Sequence, residues 1–428
     1  MTVAARSLTS LELSAPEKHV SLNSARHPTF CDFDLISDRA AFDALEAEWN
    51  DLFTRAGKPQ NVFQTFNFCW HWANHYVREP SHGDENSRLG RGLKLRLITA
   101  RRDGRLIMVW PLVSERVRGI TQLFWMGGAV SQYGDVLIDA AADKGAILKS
   151  AFEFLRSNAQ ADILRMRRVR EDATVAGLMN EIGATAADRQ RAPYMDLTSA
   201  KDFADFEQRY SSKTRKNRRR LSRRLEEKGH VEFLRLHGGL QARELALQAV
   251  AFKEKWLQSR GLVSHALTDR RMAGLFADLA EGKTKPVGCI VSALKSNGEI
   301  AALEVSFACK ARLAMHLIVF NLAFEKSGAG VLLLEQSLKD GYAEGFDALD
   351  MLAPGDEYKF DWCDKSDGIV DWVKPLTLKG ELYARVYLGF LRSRIKAALK
   401  KLPQPLRRLM RDGWAKTASI PPVPNPAE

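Results

Sequence analysis

Hydrophobic positions give the first outline of the chain. Phe42, Leu45, Trp49 and Leu52 recur at spacings of three, four and three, which predicts a helix with one buried face. The stretch "VFQTFNFCWHW" (62–72) concentrates large aromatics and reads as a core anchor. From about residue 94, "LKLRLITARRDGRLIMVWPLV" predicts two strands joined at Asp103-Gly104, a pair suited to a tight hairpin turn. "QLFWMGGAVSQYGDVLID" (122–139) is strand-like, and a helix is predicted at about 142–157.

A second module starts near 196. "DFADFEQRY" predicts a helix with Phe203, Phe206 and Tyr210 on one face, and further helices are expected at about 240–260 and 267–281. "VGCIVSALKSNGEIAALEVSF" (287–307) again reads strand, turn, strand, with Asn297-Gly298 at the bend. A third strand (311–321), a loop (322–330), a helix (331–345), a strand (346–352) and a stretch that begins as loop (353–362) follow. The two hairpins are built alike, which predicts two similar α/β modules in tandem.

Charge changes this picture in two places. The chain has 428 residues, 45% hydrophobic and 27% charged, enough for two or three cores. Its net charge of +12 is concentrated in 213–224, where eight of twelve residues are Lys or Arg, and in 379–416. Those segments together exceed +12, so the remainder is slightly acidic. The five cysteines form no CxxC pair and read as thiols of a reducing cytosol. The nine histidines show no ligand spacing, so no metal is expected. Residues 1–28 are polar and aperiodic and read as disordered, with no apolar leader and no membrane-spanning run anywhere. A cytoplasmic protein is expected, with peripheral contact at an inner membrane surface as an option.

Candidate chemistry comes last. In "KSGAG", Ser327, Gly328, Ala329 and Gly330 stand between a strand and a helix, where small residues let backbone N–H groups approach an anion. A helix start that merely needs small residues is the plain alternative. Antiparallel strands followed by strand, Gly-rich loop, helix and strand is the order of the acyl-CoA-binding core of GNAT acyltransferases. Glu325 stands where that pattern usually has Gln or Arg. "YSSKTRKNRRRLSRRLEEKG", "GEIAALEVSF", "GAGVLLLEQSLKDG" and "FDALDMLAPGDEYKFDW" together resemble GNAT-like acetyltransferases of the cellulose-biosynthesis (CelD/BcsL) type, over roughly residues 30–375. That type is similar in architecture to the Fem aminoacyl transferases.

The resemblance implies an α/β fold of two tandem GNAT-like (acyl-CoA N-acyltransferase) domains, at 29–195 and 196–376; charge and apolar spacing add a basic amphipathic helix and disordered tail at 377–428. It implies acyl transfer from acyl-CoA, such as acetyl-CoA, to an amine or hydroxyl acceptor in exopolysaccharide, cellulose or envelope assembly. Two alternatives stay open: an aminoacyl-tRNA-dependent transferase of the Fem kind, and a non-catalytic partner of a polysaccharide complex.

Such a transfer needs a proton acceptor and oxyanion donors. Glu304 and His316 on adjoining strands, Asp350 at a strand end, and the Tyr358-Lys359 pair are the catalytic candidates. Lys359 either neutralises a phosphate or oxyanion, or pairs with Asp350 or Asp356. In the basic run, Tyr210, Thr214, Asn217, Leu221 and Leu225 define the expected inward face of a helix capped by Ser211 or Ser212. Arg215, Arg219 and Arg223 are then expected to face an anionic substrate, and nucleic acid is disfavoured because no stacking aromatics are interleaved. In 381–411, Leu388, Leu391, Ile395, Ala398 and Leu402 form an apolar stripe among cations, which predicts a tether to an anionic membrane, or a helix packed on the second domain.

Overall fold

The computed structural model describes residues 31–77, 92–117, 119–128, 130–262, 264, 269–282 and 287–386. The expected disordered stretch 1–28, and the tail with its apolar stripe from Leu388 onward, lie outside the described residues.

The first half runs β1 (Asp32–Ile36), α1 (Arg39–Asp43), α2 (Glu46–Ala56), a 3-10 turn and α3 (Phe66–Tyr76). It continues with β2 (Lys94–Leu95), β3 (Leu97–Arg102), β4 (Arg105–Trp110), β5 (Leu112–Val117), β6 (Ile120–Trp125), β7 (Leu137–Ile138), α4 (Lys144–Asn158), β8 (Ile163–Arg170), α5 (Ala176–Glu181) and β9 (Thr185–Asp196). The second half contains α6 (Phe203–Glu207), α7 (Ser212–Glu226), β10 (Val231–Leu236), α8 (Leu240–Ser259), α9 (Arg270–Glu281), β11 (Val287–Ser296), β12 (Glu299–Cys309) and β13 (Arg312–Phe320). A 3-10 turn at 322–327 follows, where the sequence predicts a loop, and then α10 (Ala329–Ala343), β14 (Ala348–Asp350), α11 (Glu357–Phe360), β15 (Lys365–Pro375) and α12 (Leu378–Tyr383).

Both hairpin turns form where expected. Asp103 and Gly104 take φ of 51° and 76°, and Asn297 and Gly298 take 50° and 81°, the left-handed pair that a two-residue turn requires. The two hairpins are not equivalent, however. β3 and β4 belong to a four-stranded sheet ordered β1-β3-β4-β7, whereas β11 and β12 lie in an eleven-stranded sheet. Pro111 interrupts the run between β4 and β5, and β5 joins the larger sheet. The internal repeat lies elsewhere. In each half a strand, a helix and a second, parallel strand recur: β6, α4, β8 and β13, α10, β14.

The large sheet reads β10-β11-β12-β13-β14-β9-β15-β8-β6-β5-β2. β15, the last strand in chain order, inserts between β8 and β9 and pairs antiparallel with both. The sheet therefore runs unbroken through both halves. The aromatic anchor crosses the same boundary. Thr65 caps α3 through the Phe68 amide, and fully buried Phe63 and Phe68 pack edge-on against Phe307 of β12. Burying each such ring contributes roughly 2–3 kcal/mol.

Candidate functional site

Parallel strands β13 and β14 pair only over Arg312–Ala314 and Ala348–Asp350. β13 then continues to Phe320 paired with β12 only, while the chain beyond β14 turns away at Leu352, a buried non-glycine residue with φ of 61°. Val130 and Tyr133 of the first half border the resulting splay. His316 Nε2 lies 2.7 Å from the Val130 carbonyl, and Tyr133 Oη lies 2.9 Å from both oxygens of Asp350. A carbonyl only accepts, so Nε2 carries the imidazole proton and Nδ1 is left as a bare acceptor. Nδ1 has no hydrogen-bond partner among the described residues. Rings of Phe63, Phe276 and Phe307 surround the imidazole at 4.9–6.0 Å, and burial, with the charge of Arg168 adding to it, pushes its pKa down to about 4. His316 is therefore neutral near pH 7 and offers one lone pair.

Residues 212–360, which include this splay, match the family model for the Acetyltransferase (GNAT) domain. The second half of the chain carries a GNAT acetyltransferase domain. Residues 212–360 thus form an acetyltransferase domain of the GNAT type, and GNAT domains use acyl-CoA. No curated protein matches the chain by sequence. Among solved structures, the crystal structure of FemX is similar in fold, with a TM-score of 0.53 at 10% identity over 82% of this chain and 99% of that one. The L-PGS structure from Bacillus licheniformis has a TM-score of 0.48 at 14% identity, covering 81% of this chain and 96% of that one. A tandem GNAT protein from the clavulanic acid biosynthesis pathway has 0.47 at 13%, covering 81% and 99%.

Within this GNAT domain the sequence candidates fall into different environments. Asp350 is fully buried and accepts from Tyr133, from Arg312 (2.8 and 3.0 Å) and from the Leu352 amide (2.8 Å). Arg312 reaches on to Asp367, which Arg170 pairs at 2.6 Å. Asp350 is the centre of a network that bolts the halves together. Lys359 touches neither Asp350 nor Asp356. Its ammonium spends three N–H bonds on the carbonyls of Met351 (2.9 Å), Leu352 (3.0 Å) and Pro354 (2.8 Å), so it holds the loop that bends away from β14. Tyr358 beside it is 53% exposed. Glu304 is sealed beneath α10, its oxygens accepting from Ser306 (2.5 Å) and Ser337 (2.7 Å), away from the splay.

The glycine loop caps α10. Gly328 has φ of 69°, and a Cβ there would lie 2.7 Å from Leu221 of α7, so the helix closes one side of the loop. Ser327 and Ala329 are buried, while Gly328 and Gly330 are partly exposed. No side chain caps the first turn of α10; Gly328 donates its amide to Glu325 O, which leaves the amides of Ala329 and Gly330 available to an anion. To that extent the loop fits a pyrophosphate.

Helix α7 is capped by Ser211 as predicted, and Tyr210, Thr214, Leu221 and Leu225 face inward as expected, but Asn217 does not. Arg218, not Asn217, is buried, with its guanidinium 3.9 Å from the Tyr210 ring and 3.6 Å from the Trp362 ring. Arg215 is engaged locally, donating to Glu207 O, Gln208 O and Gln208 Oε1. Arg219 and Arg223 are exposed. Gln132, Tyr133, Arg168 and Arg218 escape sequence reasoning because each sits in a strand-like or charged run without periodic signature.

Proposed function

We propose that the chain transfers an acyl group from acyl-CoA to an amine or hydroxyl acceptor at the β13/β14 splay. His316 Nδ1 takes the acceptor's proton, and the α10 amides of Ala329 and Gly330 receive the CoA phosphates. The observation that carries this reading is the unpartnered, unprotonated Nδ1 of His316 beside the opened edge of β13. The loop clamped by Lys359 leads away from β14, and Asp350 and Glu304 act as supports. The domains at 29–195 and 196–376 then serve as frame and catalytic half. The resemblance to the cellulose-biosynthesis type points to an acceptor from exopolysaccharide, cellulose or envelope assembly.

The test is thiol release from acetyl-CoA by the full-length protein with amine and hydroxyl acceptors. His316→Gln should lower kcat by roughly 10²–10⁴-fold while acetyl-CoA binding persists. Gly330→Asp, which meets only the Phe320 side chain at 3.3 Å, should abolish CoA binding by setting a carboxylate against the phosphates. Wild-type rates in His316→Gln would remove the histidine from the mechanism.

A second reading is favoured by the outer face of α7. Lys213, Lys216, Arg219, Arg220, Arg223 and Arg224 are exposed and form no ion pair with the described residues. A polyanionic donor such as aminoacyl-tRNA would suit this face. It predicts binding whose logarithm falls with log salt by several units of slope, where acyl-CoA would give a slope of a few at most.

A further inference from the structure

We infer that Arg168 and Gln132 form the receptor for an anionic group, a carboxylate or a phosphate, on the acyl acceptor; this rests on the acyl-transfer reading above. Arg168 lies in β8 with φ of 55°, where the pairing of β15 with β8 shifts register between Val370 and Trp372. A left-handed arginine inside a strand is costly and persists only where its surroundings impose it. Its amide is pinned to Asp371 Oδ1 at 2.7 Å, and the bulge turns the side chain towards the 131–132 loop.

The guanidinium finds neutral oxygens there and no carboxylate. Nη1 donates to Gln132 Oε1 and to Ser131 O, while Nε and Nη2 make no bond to the described residues. The nearest acid, Asp371, is occupied by the Arg168 amide and by Arg167 at 3.2 Å. Arg168 is thus a half-buried cation without a counter-ion among the described residues.

Gln132 presents donors to the same space. Its oxygen is committed to Arg168, which fixes the amide orientation. Its Nε2 lies 3.4 Å from His316 Nε2, but that nitrogen donates to Val130 and has no lone pair to give. Two donors therefore face one another, and the Gln132 N–H groups remain free for an incoming oxygen. The same imidazole carries one buried acceptor without a partner among the described residues, Nδ1. Gln132, Arg168 and the His316 ring are each partly exposed, while His316 Nδ1 itself is buried, so a ligand meets Arg168 and Gln132 first. An anion on Arg168 and Gln132 would hold a neighbouring N–H or O–H of the same molecule beside the His316 ring.

The test compares acyl transfer from acetyl-CoA to matched acceptors with the full-length protein: an amino acid against its primary amide, and an amino sugar phosphate against the free amino sugar. Wild type should prefer the charged member of at least one pair by roughly 10- to 100-fold in kcat/KM, and the pair that responds tells carboxylate from phosphate. Arg168→Gln should erase the preference. Gln132→Glu should erase it as well, by giving Arg168 an internal carboxylate, and should raise the unfolding temperature. This second variant separates receptor from scaffold, because a purely structural Arg168 would gain stability from the new carboxylate with no change in preference. Acetyl-CoA binding and turnover without charge preference in wild type would overturn the inference alone. Absence of acetyl-CoA binding and of turnover with every acceptor would overturn the acyl-transfer reading and this inference with it.

Discussion

A proton acceptor enclosed by phenyl rings has to shed its own charge to stay there, and His316 shows the consequence. The unfolded chain takes up the imidazole proton near pH 6.5, the folded chain only near 4. Its contribution to stability is therefore full above about 6.5 and is lost as pH falls towards 4, by up to about 1.4 kcal/mol per unit. His316→Gln removes this titration, so urea unfolding should show its stability deficit shrinking between pH 7 and 4.5. Parallel curves would mean that the cage does not exclude the charged ring. Arg218 supplies the opposite case, a cation kept inside by stacking. Arg218→Lys should cost on the order of 1–2 kcal/mol, because an ammonium cannot lie flat between Tyr210 and Trp362, whereas Arg219→Ala, one residue on and exposed, should stay within about 0.5 kcal/mol. Equal losses by chemical denaturation would mean that Arg218 is not held by the two rings. Sequence points to Asn217 at this position because apolar spacing cannot see an arginine buried by aromatics from distant segments.

At the scale of elements, α10 depends on one glycine. Gly328 combines a left-handed backbone with a Cβ direction blocked by Leu221. Gly328→Ala should destabilise by about 1–3 kcal/mol, and adding Leu221→Ala should recover only the steric part, since the φ penalty remains. Full recovery in thermal melts of the double variant would show that the backbone is not strained. Substitution at Gly328 is accordingly a poor probe of donor binding, and Gly330 the better one. Elements with local codes were legible: Asp-Gly and Asn-Gly turns, the Ser211 cap, and the aromatics of α3. What local codes could not show was the partner of each strand, so hairpins alike in sequence ended in different sheets.

The whole molecule is organised by the return of β15. Cutting the chain after residue 195 removes the strand between β8 and β9 and leaves both with unpaired edges. A 29–195 fragment should fail to fold, giving little dispersed amide signal in NMR, while full-length protein unfolds in one transition. A folded fragment would show that the halves are separable. Across the same seam, Tyr133→Phe should cost about 1–3 kcal/mol by removing the hydroxyl donor from buried Asp350. Asp350→Asn should cost more, on the order of 3–5 kcal/mol, because Arg312 loses its buried counter-charge. Comparable losses in both would argue that Arg312 is neutralised by Asp367 instead.

Periodicity, turn chemistry and the run of small residues before α10 determine the elements, the strand–helix–strand order in the second half and the candidates His316 and Gly328–Gly330, because these depend on neighbours in the chain. Tertiary structure alone decided that Glu304 is sealed, that Lys359 is spent on carbonyls, and that Arg168 and Gln132 stand beside His316. The first and last of these outcomes depend on contacts between residues distant in the chain, 184 positions apart in the case of Gln132 and His316, and the second on a bend in the backbone, and no local pattern encodes them.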